Sequence, residues 1–336
     1  MATVKDVARR AGVSTATVSR VLNNKGQVSA TARAKVLAAV EALNFKPSRV
    51  ARNLRVRRTQ LIGLIISDIQ NPFFAWVTRG VEDAAYQNGY SLILCNSNED
   101  PTRERMYLEV MHAEEVAGVI LATTQDTGHD RTLLCGPIPT VAVDRTIDDL
   151  EIDTVVVDNV RGAYEAVAHL LRSGHRRIGL IAGPPRLSTA RERQQGYEQA
   201  HNDFDIPVDP ALVRHGNFKQ DSGYEHVRDL LTHPKQPTAL FVANNLMTLG
   251  ALNAIHELGL RIPDEVAIVG FDDMPWAMSL NPPLTVVAQP HYELGRAAAD
   301  LLLRRLTDRE ASAIHVCLPP TLIIRESSCA QVKTSP

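Results

Sequence analysis

Residues 4–54 read VKDVARRAGVSTATVSRVLNNKGQVSATARAKVLAAVEALNFKPSRVARNL. Thr3 followed by Asp6 has the form of a capping box with the shorter Asp in place of Glu, and it predicts a helix carrying Val4, Val7 and Ala8 on one face. That helix ends near Ala11-Gly12. A second helix is expected over TATVSRVLN, with Val18, Val21 and Leu22 turned inward and Thr15, Thr17 and Arg20 outward. A third is expected from Ser29 to Leu43, with Val36, Leu37, Val40 and Leu43 as the apolar stripe that closes a small core. Two short helices joined by a tight glycine turn make a helix-turn-helix.

Charge supports that reading. The formal net charge of the 336-residue chain is -2, yet residues 1–60 hold thirteen basic residues against Asp6 and Glu41, a formal +11. The remainder then holds 23 basic residues against 36 acidic ones, a formal -13. A basic head on an acidic body predicts a polyanion partner for the head alone. Within the head, residues 46–59 read KPSRVARNLRVRRT, with six basic residues and no acid. A run of that kind is ordinarily a solvated linker, which leaves Val50 and Leu54, four apart, without an explanation.

From Leu61 the pattern changes. LIGLIIS, YSLILC, AGVILA, TVAVD, RIGLIAG, TALFVA and VAIVGFDD are strand-like, and amphipathic stretches such as RGVEDAAYQNG, NVRGAYEAVAHLLRSG, LMTLGALNAIHELG and ELGRAAADLLLRRL separate them. Such alternation predicts parallel sheets covered by helices on both faces. About 270 residues is large for one doubly wound sheet, so two lobes are expected, with a ligand between them at the carboxyl ends of the strands. Candidate site residues stand where strands end: DIQNPFF at 68–74, Asp144-Arg145, Arg193, Phe218, Asn244-Asn245, Asp272-Asp273 and Gln289. Taken singly, each reads more readily as ordinary core or loop.

Several classes fall away. No glycine fingerprint of the GxGxxG or GxxxxGK type follows a strand, so no nucleotide cofactor is expected. Cys95, Cys135, Cys317 and Cys329 are scattered, which suggests reduced thiols and no zinc site. No apolar run approaches the roughly 20 residues that span a bilayer, and MATVKDVARR lacks a signal peptide's apolar segment, so a cytoplasmic protein with no membrane partner is expected. No nucleophile-base pair is visible, and an enzyme is not expected.

The run at 4–54 resembles the DNA-binding head of the lactose-repressor (LacI/GalR) family of bacterial transcription regulators. The body resembles that family's effector core, with NPFF, VDR, RxxGY, VAN, GFDD and PPLT in the expected order. The resemblance implies a small all-α helix-turn-helix head at 1–46, a hinge helix at 47–59, and an α/β two-lobed, periplasmic-binding-protein-like core of two parallel doubly wound sheets at 60–329. The lobes divide as about 60–160 with 291–322, and about 161–290 with 323–329, ahead of a tail at 330–336.

It further implies that Thr15, Ala16 and Arg20 face base edges of operator DNA, with Ser14, Thr17, Ser19 and Asn23 nearer the backbone. For Ser14 and Thr17, simple helix capping stays equally open. Val50, Leu54 and Arg55 would belong to a hinge helix that pairs with its dimer mate in the minor groove, Leu54 wedging between base pairs. A homodimer on a near-palindromic operator is implied, and the tail shows no heptads for a tetramer.

For the core, the resemblance to pentose-binding members implies a sugar site of Asn71, Phe73, Phe74, Asp144, Arg145, Arg193, Phe218, Asn244, Asp272 and Gln289. Ribose or a related pentose is the expected effector. The alternatives are a purine or a phosphorylated carrier protein as co-repressor, then a sugar receptor or sugar-modifying enzyme. One departure stands out: the residue after Asn244 is usually aspartate in the family and is Asn245 here.

Overall fold

Local chemistry sets the head. The computed structural model describes residues 2–22, 27–45 and 59–329. Helix α1 (Val4–Ala11) opens on the expected capping box, in which Asp6 N donates to Thr3 Oγ1 at 3.3 Å while Thr3 N donates to the Asp6 carboxylate at 2.9 Å. Gly12 ends the helix at φ +65°, a left-handed conformation that costs glycine nothing. Helices α2 (Thr15–Leu22) and α3 (Ala30–Ala42, capped by Ser29) follow.

Val7, Ala8, Ala11, Val18, Val21, Val36, Ala39 and Phe45 make the small core. Leu37, expected in the apolar stripe of α3, is instead 52% exposed. The inward spacing runs 36 and 39, buried, with 40 and 43 half-buried, and residue 37 lies about 100° around the helix from residue 36.

The larger unit, Gln60–Pro336, is separate from the head unit Met1–Thr59. It holds two six-stranded sheets. In chain order the elements are β1 (Leu61–Ile66), α4 (Pro72–Gln87), β2 (Ser91–Asn96), α5 (Pro101–Ala113), β3 (Gly118–Leu121), α6 (Arg131–Leu134), β4 (Thr140–Val143), β5 (Asp153–Val157), α7 (Asn159–Arg172), β6 (Ile178–Ala182), α8 (Ser188–Asp203), β7 (Val213–His215), α9 (Gln220–Thr232), β8 (Ala239–Val242), α10 (Asn245–Glu257), β9 (Ala267–Phe271), β10 (Thr285–Ala288), α11 (His291–Thr307), β11 (His315–Leu318) and β12 (Thr321–Ile323).

The first sheet has strand order β11-β5-β4-β3-β1-β2 and the second β12-β10-β9-β8-β6-β7. Their pairs are parallel except β10 with β12, so the second sheet carries one antiparallel edge on an otherwise parallel frame. Central strands such as β3, β4, β6, β8 and β9 are buried along their whole length, as expected where helices cover both faces.

The chain crosses between lobes three times, near Asp158, at Gln289-Pro290 and at Pro319-Pro320. Two of these crossings differ slightly from the expected breaks at 160/161 and 322/323. Helix α7, from Asn159, packs on α8 in the second lobe, and β12, from Thr321, already pairs with β10. Among the described residues, no helix is long and apolar enough to cross a membrane.

Candidate functional site

Strand ends on both lobes deliver their loops to one cavity. Asn71 caps α4, its Oδ1 accepting from Phe73 N at 3.0 Å, and Phe73 and Phe74 form the first turn of that helix. Asp144 and Arg145 follow β4, Arg193 lies in α8, and Phe218 precedes α9. Asn244 caps α10 through Met247 N at 2.9 Å, Asp272 follows β9 and Gln289 follows β10. All ten residues expected in the site line this cavity, together with Asp68, Glu99 and Thr189. Its volume is about 30 Å3, room for a water or two, so a larger ligand enters only as the lobes part.

The backbone is strained at the lining. Glu99, Asp144, Phe218 and Asp272 have φ of 60°, 71°, 63° and 78°. Each costs on the order of 1–3 kcal/mol for a residue with a side chain, less where a short Asp can hydrogen-bond locally. Phe218 is the most expensive of the four, being bulky. Its ring lies over Gly183, where an added Cβ would meet Phe218 Cζ at 2.1 Å.

Charge is buried, and both guanidiniums are held by fixed partners. Arg145 donates to both carboxylate oxygens of Glu99, at 2.8 and 2.7 Å, and to Thr123 O at 2.7 Å. Its Nε lies 3.5 Å from Asp144 Oδ2, beyond good hydrogen-bond geometry. Arg193 donates from Nε to Asn159 Oδ1 at 2.8 Å and from Nη1 to Ala243 O at 2.6 Å, and its guanidinium stacks 3.8 Å from the Phe271 ring centroid. Nη2 is left for the cavity. Gln289 Nε2 donates to Asp272, and His291 Nε2 sits 3.7 Å from the same carboxylate while its ring meets Phe73 edge-on.

These surroundings split the two carboxyls. Burial pushes Asp144 above the usual carboxylate range, only partly offset by Arg145 and Arg193. Burial acts the same way on Asp272, but His291, Arg193 and the Gln289 hydrogen bond outweigh it and hold that group below its ordinary value. Burial also lowers the pKa of Arg193 despite Asp272 and Asp144 nearby.

Several residues tie the lobes together, and of these Lys219 and Arg191 carried no motif. Lys219 Nζ donates to Asp68 at 2.6 Å and to Asn98 at 3.0 Å; Arg191 reaches Asp126 at 2.7 Å and Asp148 at 3.3 Å; Asn245 Nδ2 donates to Asn71 Oδ1 at 2.8 Å. These pairs rest on residues far apart in sequence.

On the head, Thr15, Ala16 and Arg20 are exposed on α2, and Thr17 and Ser19 are half-buried. Ser14 caps that helix: Thr17 N donates to its Oγ at 3.2 Å and the two hydroxyls are 3.0 Å apart. Asn23, Val50, Leu54 and Arg55 lie outside the described residues.

Comparison with known proteins agrees with this architecture. Residues 3–48 match the model of bacterial regulatory proteins of the lacI family, and residues 167–328 match a periplasmic binding protein-like domain. The chain is 39% identical over 332 residues to the HTH-type transcriptional repressor PurR of Haemophilus influenzae (strain PittEE), covering 97% of this chain and 98% of that one. A lac repressor dimer bound to operator and the anti-inducer ONPF superposes with a TM-score of 0.87 at 31% identity, over 98% and 99% of the two chains. A LacI family transcriptional regulator from Enterococcus faecium with bound ribose gives 0.73 at 31% identity, over 81% of this chain and 100% of that one. With its helix-turn-helix head and its two-lobed core, the chain belongs to the lacI family of bacterial regulatory proteins and is a DNA-binding transcription regulator.

Proposed function

We propose that this regulator is a repressor whose operator affinity is set by a small neutral sugar, ribose or a related pentose, held between the two lobes of the core. The observation that carries this reading is the convergence of Asp144, Arg193 and Asp272 on one cavity with Phe73, Phe74 and Phe218 in its walls. Carboxylate and guanidinium groups bind vicinal hydroxyls in pairs, and phenyl rings cover the apolar faces of a sugar. A phosphorylated sugar fits less well. Arg145 is already held by Glu99 on both terminal nitrogens, and four carboxylates line the cavity with two guanidiniums. The similarity to the ribose-bound regulator points the same way.

The placement of the neighbouring carboxyls speaks against sugar-modifying chemistry. Asp273, the neighbour of Asp272, is bound by Arg325 through both oxygens at 2.8 Å, so the two carboxylates do not work on one substrate.

The working form is a homodimer on a near-palindromic operator, acting in the cytoplasm. Leu94, Met106 and Val110 leave an apolar face exposed on β2 and α5 that a second copy would cover. Thr15, Ala16 and Arg20 would read bases, with Ser19 and Asn23 nearer the backbone. The segment with Val50, Leu54 and Arg55 would form its hinge helix only on DNA, since about nine residues are too few for a stable helix alone. Sugar binding then releases the operator by biasing that folding equilibrium.

A purine in the same cavity is the second reading, kept by the similarity to repressors named PurR. Calorimetric titration of the full chain with ribose, other pentoses, hexoses and purines separates the two, followed by operator affinity with and without each binder at fixed salt. Heat with a purine and none with any sugar would replace the first reading by the second.

A further inference from the structure

The cleft closes on an amide pair. Asn71, at the start of α4 in one lobe, and Asn245, the first residue of α10 in the other, are joined by a hydrogen bond of 2.8 Å from Asn245 Nδ2 to Asn71 Oδ1. That oxygen also accepts from Phe73 N at 3.0 Å, which fixes the orientation of the Asn71 amide and leaves its Nδ2 as the donor free for the cavity. Asn245 is 1% exposed, and its own Oδ1 is buried without a partner. A buried orphan acceptor is costly, and the bond donated across the cleft offsets that cost.

We propose that Asn245 is a positioning residue for the effector site: it holds the lobes in register through Asn71 and presents the Asn71 amide to the ligand, and it does so because its side chain is an uncharged donor. This rests on the effector reading given above. A carboxylate at 245 has no proton to donate and would set a negative oxygen against the Asn71 carbonyl, in a place where burial raises a carboxyl's pKa. Protonation would restore a donor.

The chemistry supplies its own control. Asn245→Asp is expected to weaken ribose binding about tenfold or more at pH 8, as for loss of a buried hydrogen bond with repulsion added, and to regain most of it by pH 5. Asn245→Ala loses affinity equally at both. The other ionisable groups at the cleft are Asp68 with Lys219, Glu99 with Arg145, Asp144, Arg193, and Asp272 with His291. They are common to parent and variants, so the Asp-to-Ala ratio isolates residue 245.

A second measurement needs no ligand. Small-angle scattering of the unliganded full chain is expected to give a larger radius of gyration for Asn245→Asp than for the parent at pH 8, and the same radius at pH 5. If no sugar binds the parent, the effector reading fails and scattering alone judges the cross-cleft contact. An Asn245→Asp chain as compact as the parent at pH 8, or a loss of affinity independent of pH, would overturn the proposal.

Discussion

Lys219 Nζ lies 2.6 Å from Asp68 Oδ2, joining the residue before α9 in one lobe to the residue pair after β1 in the other. The Asp68 side chain is 6% exposed and the Lys219 side chain 28%, so the carboxylate depends on this partner more than the ammonium does. Lys219→Met should therefore cost about 2 kcal/mol, mostly from stranding Asp68, and Asp68→Asn in the same chain should recover much of it. Urea unfolding of the two single variants and the double variant measures the coupling; strict additivity would reduce the pair to a surface contact.

The carboxyls of Asp144 and Asp272 should respond oppositely to pH. Asp144 has its folded pKa raised, so its contribution is fully present below the unfolded value and is lost as pH rises through the folded one. Asp144→Asn should accordingly raise the melting temperature of the unliganded protein at pH 7–8, with the gain fading toward pH 4. Asp272 is held low, and its contribution is present above the unfolded value and lost as pH falls through the folded one. Asp272→Asn should destabilise at neutral pH, with the penalty shrinking in acid. About 2–4 °C per kcal/mol is the expected scale for a unit this large. Both variants should lose sugar affinity.

Gly183→Ala should damage the site from beneath. The new methyl would collide with the Phe218 ring, which is buried and already in a left-handed conformation. Overpacking of that kind costs about 1–3 kcal/mol. A smaller side chain relieves it: Phe218→Leu added to Gly183→Ala should regain stability by urea titration while leaving ribose affinity low.

In the head, Arg20→Ala should reduce operator affinity by about 1–3 kcal/mol, a factor of roughly five to 150, with the ribose titration unchanged. Leu54→Ala should do the same through the hinge. Ser14→Ala should instead lower the stability of the head by about 1 kcal/mol through loss of the α2 cap. Fluorescence anisotropy on operator DNA and thermal melting of the same preparations distinguish a contact from a cap.

What the sequence disclosed follows from how local each signal is. The capping box at Thr3 and Asp6, the glycine after α1 and the alternation of apolar runs with helices are written within a few residues, and the structure has them in place. Strands β5, β7, β10, β11 and β12 are not among the strand-like runs read from the sequence: β7 and β12 have three residues and β11 alternates between exposed and half-buried, whereas β5 is buried along its whole length. Helices α5, α8 and α9 stand out less in the sequence because their faces are rich in polar residues.

The cavity lining was legible where a motif marked it, as with Asn71 and Arg193. Glu99 and Thr189 stand in no motif, and Glu99 enters the lining because its backbone turns to φ 60°. Nothing in a lone glutamate announces that. The Asp68 to Lys219 pair spans 151 residues and the Asn71 to Asn245 pair 174, and such meetings exist only once two lobes are folded.

The three crossings near Asp158, Gln289-Pro290 and Pro319-Pro320 bear on how such a chain can be taken apart. Each lobe is assembled from separated segments, so neither is a contiguous cassette that could be cut out, transplanted to a relative or expressed by itself. A chimera that exchanged one lobe would need splices at all three strands, with Lys219, Arg191 and Asn245 kept beside the partners they meet across the seam. Recombination at a single point would instead join half a sheet to a stranger.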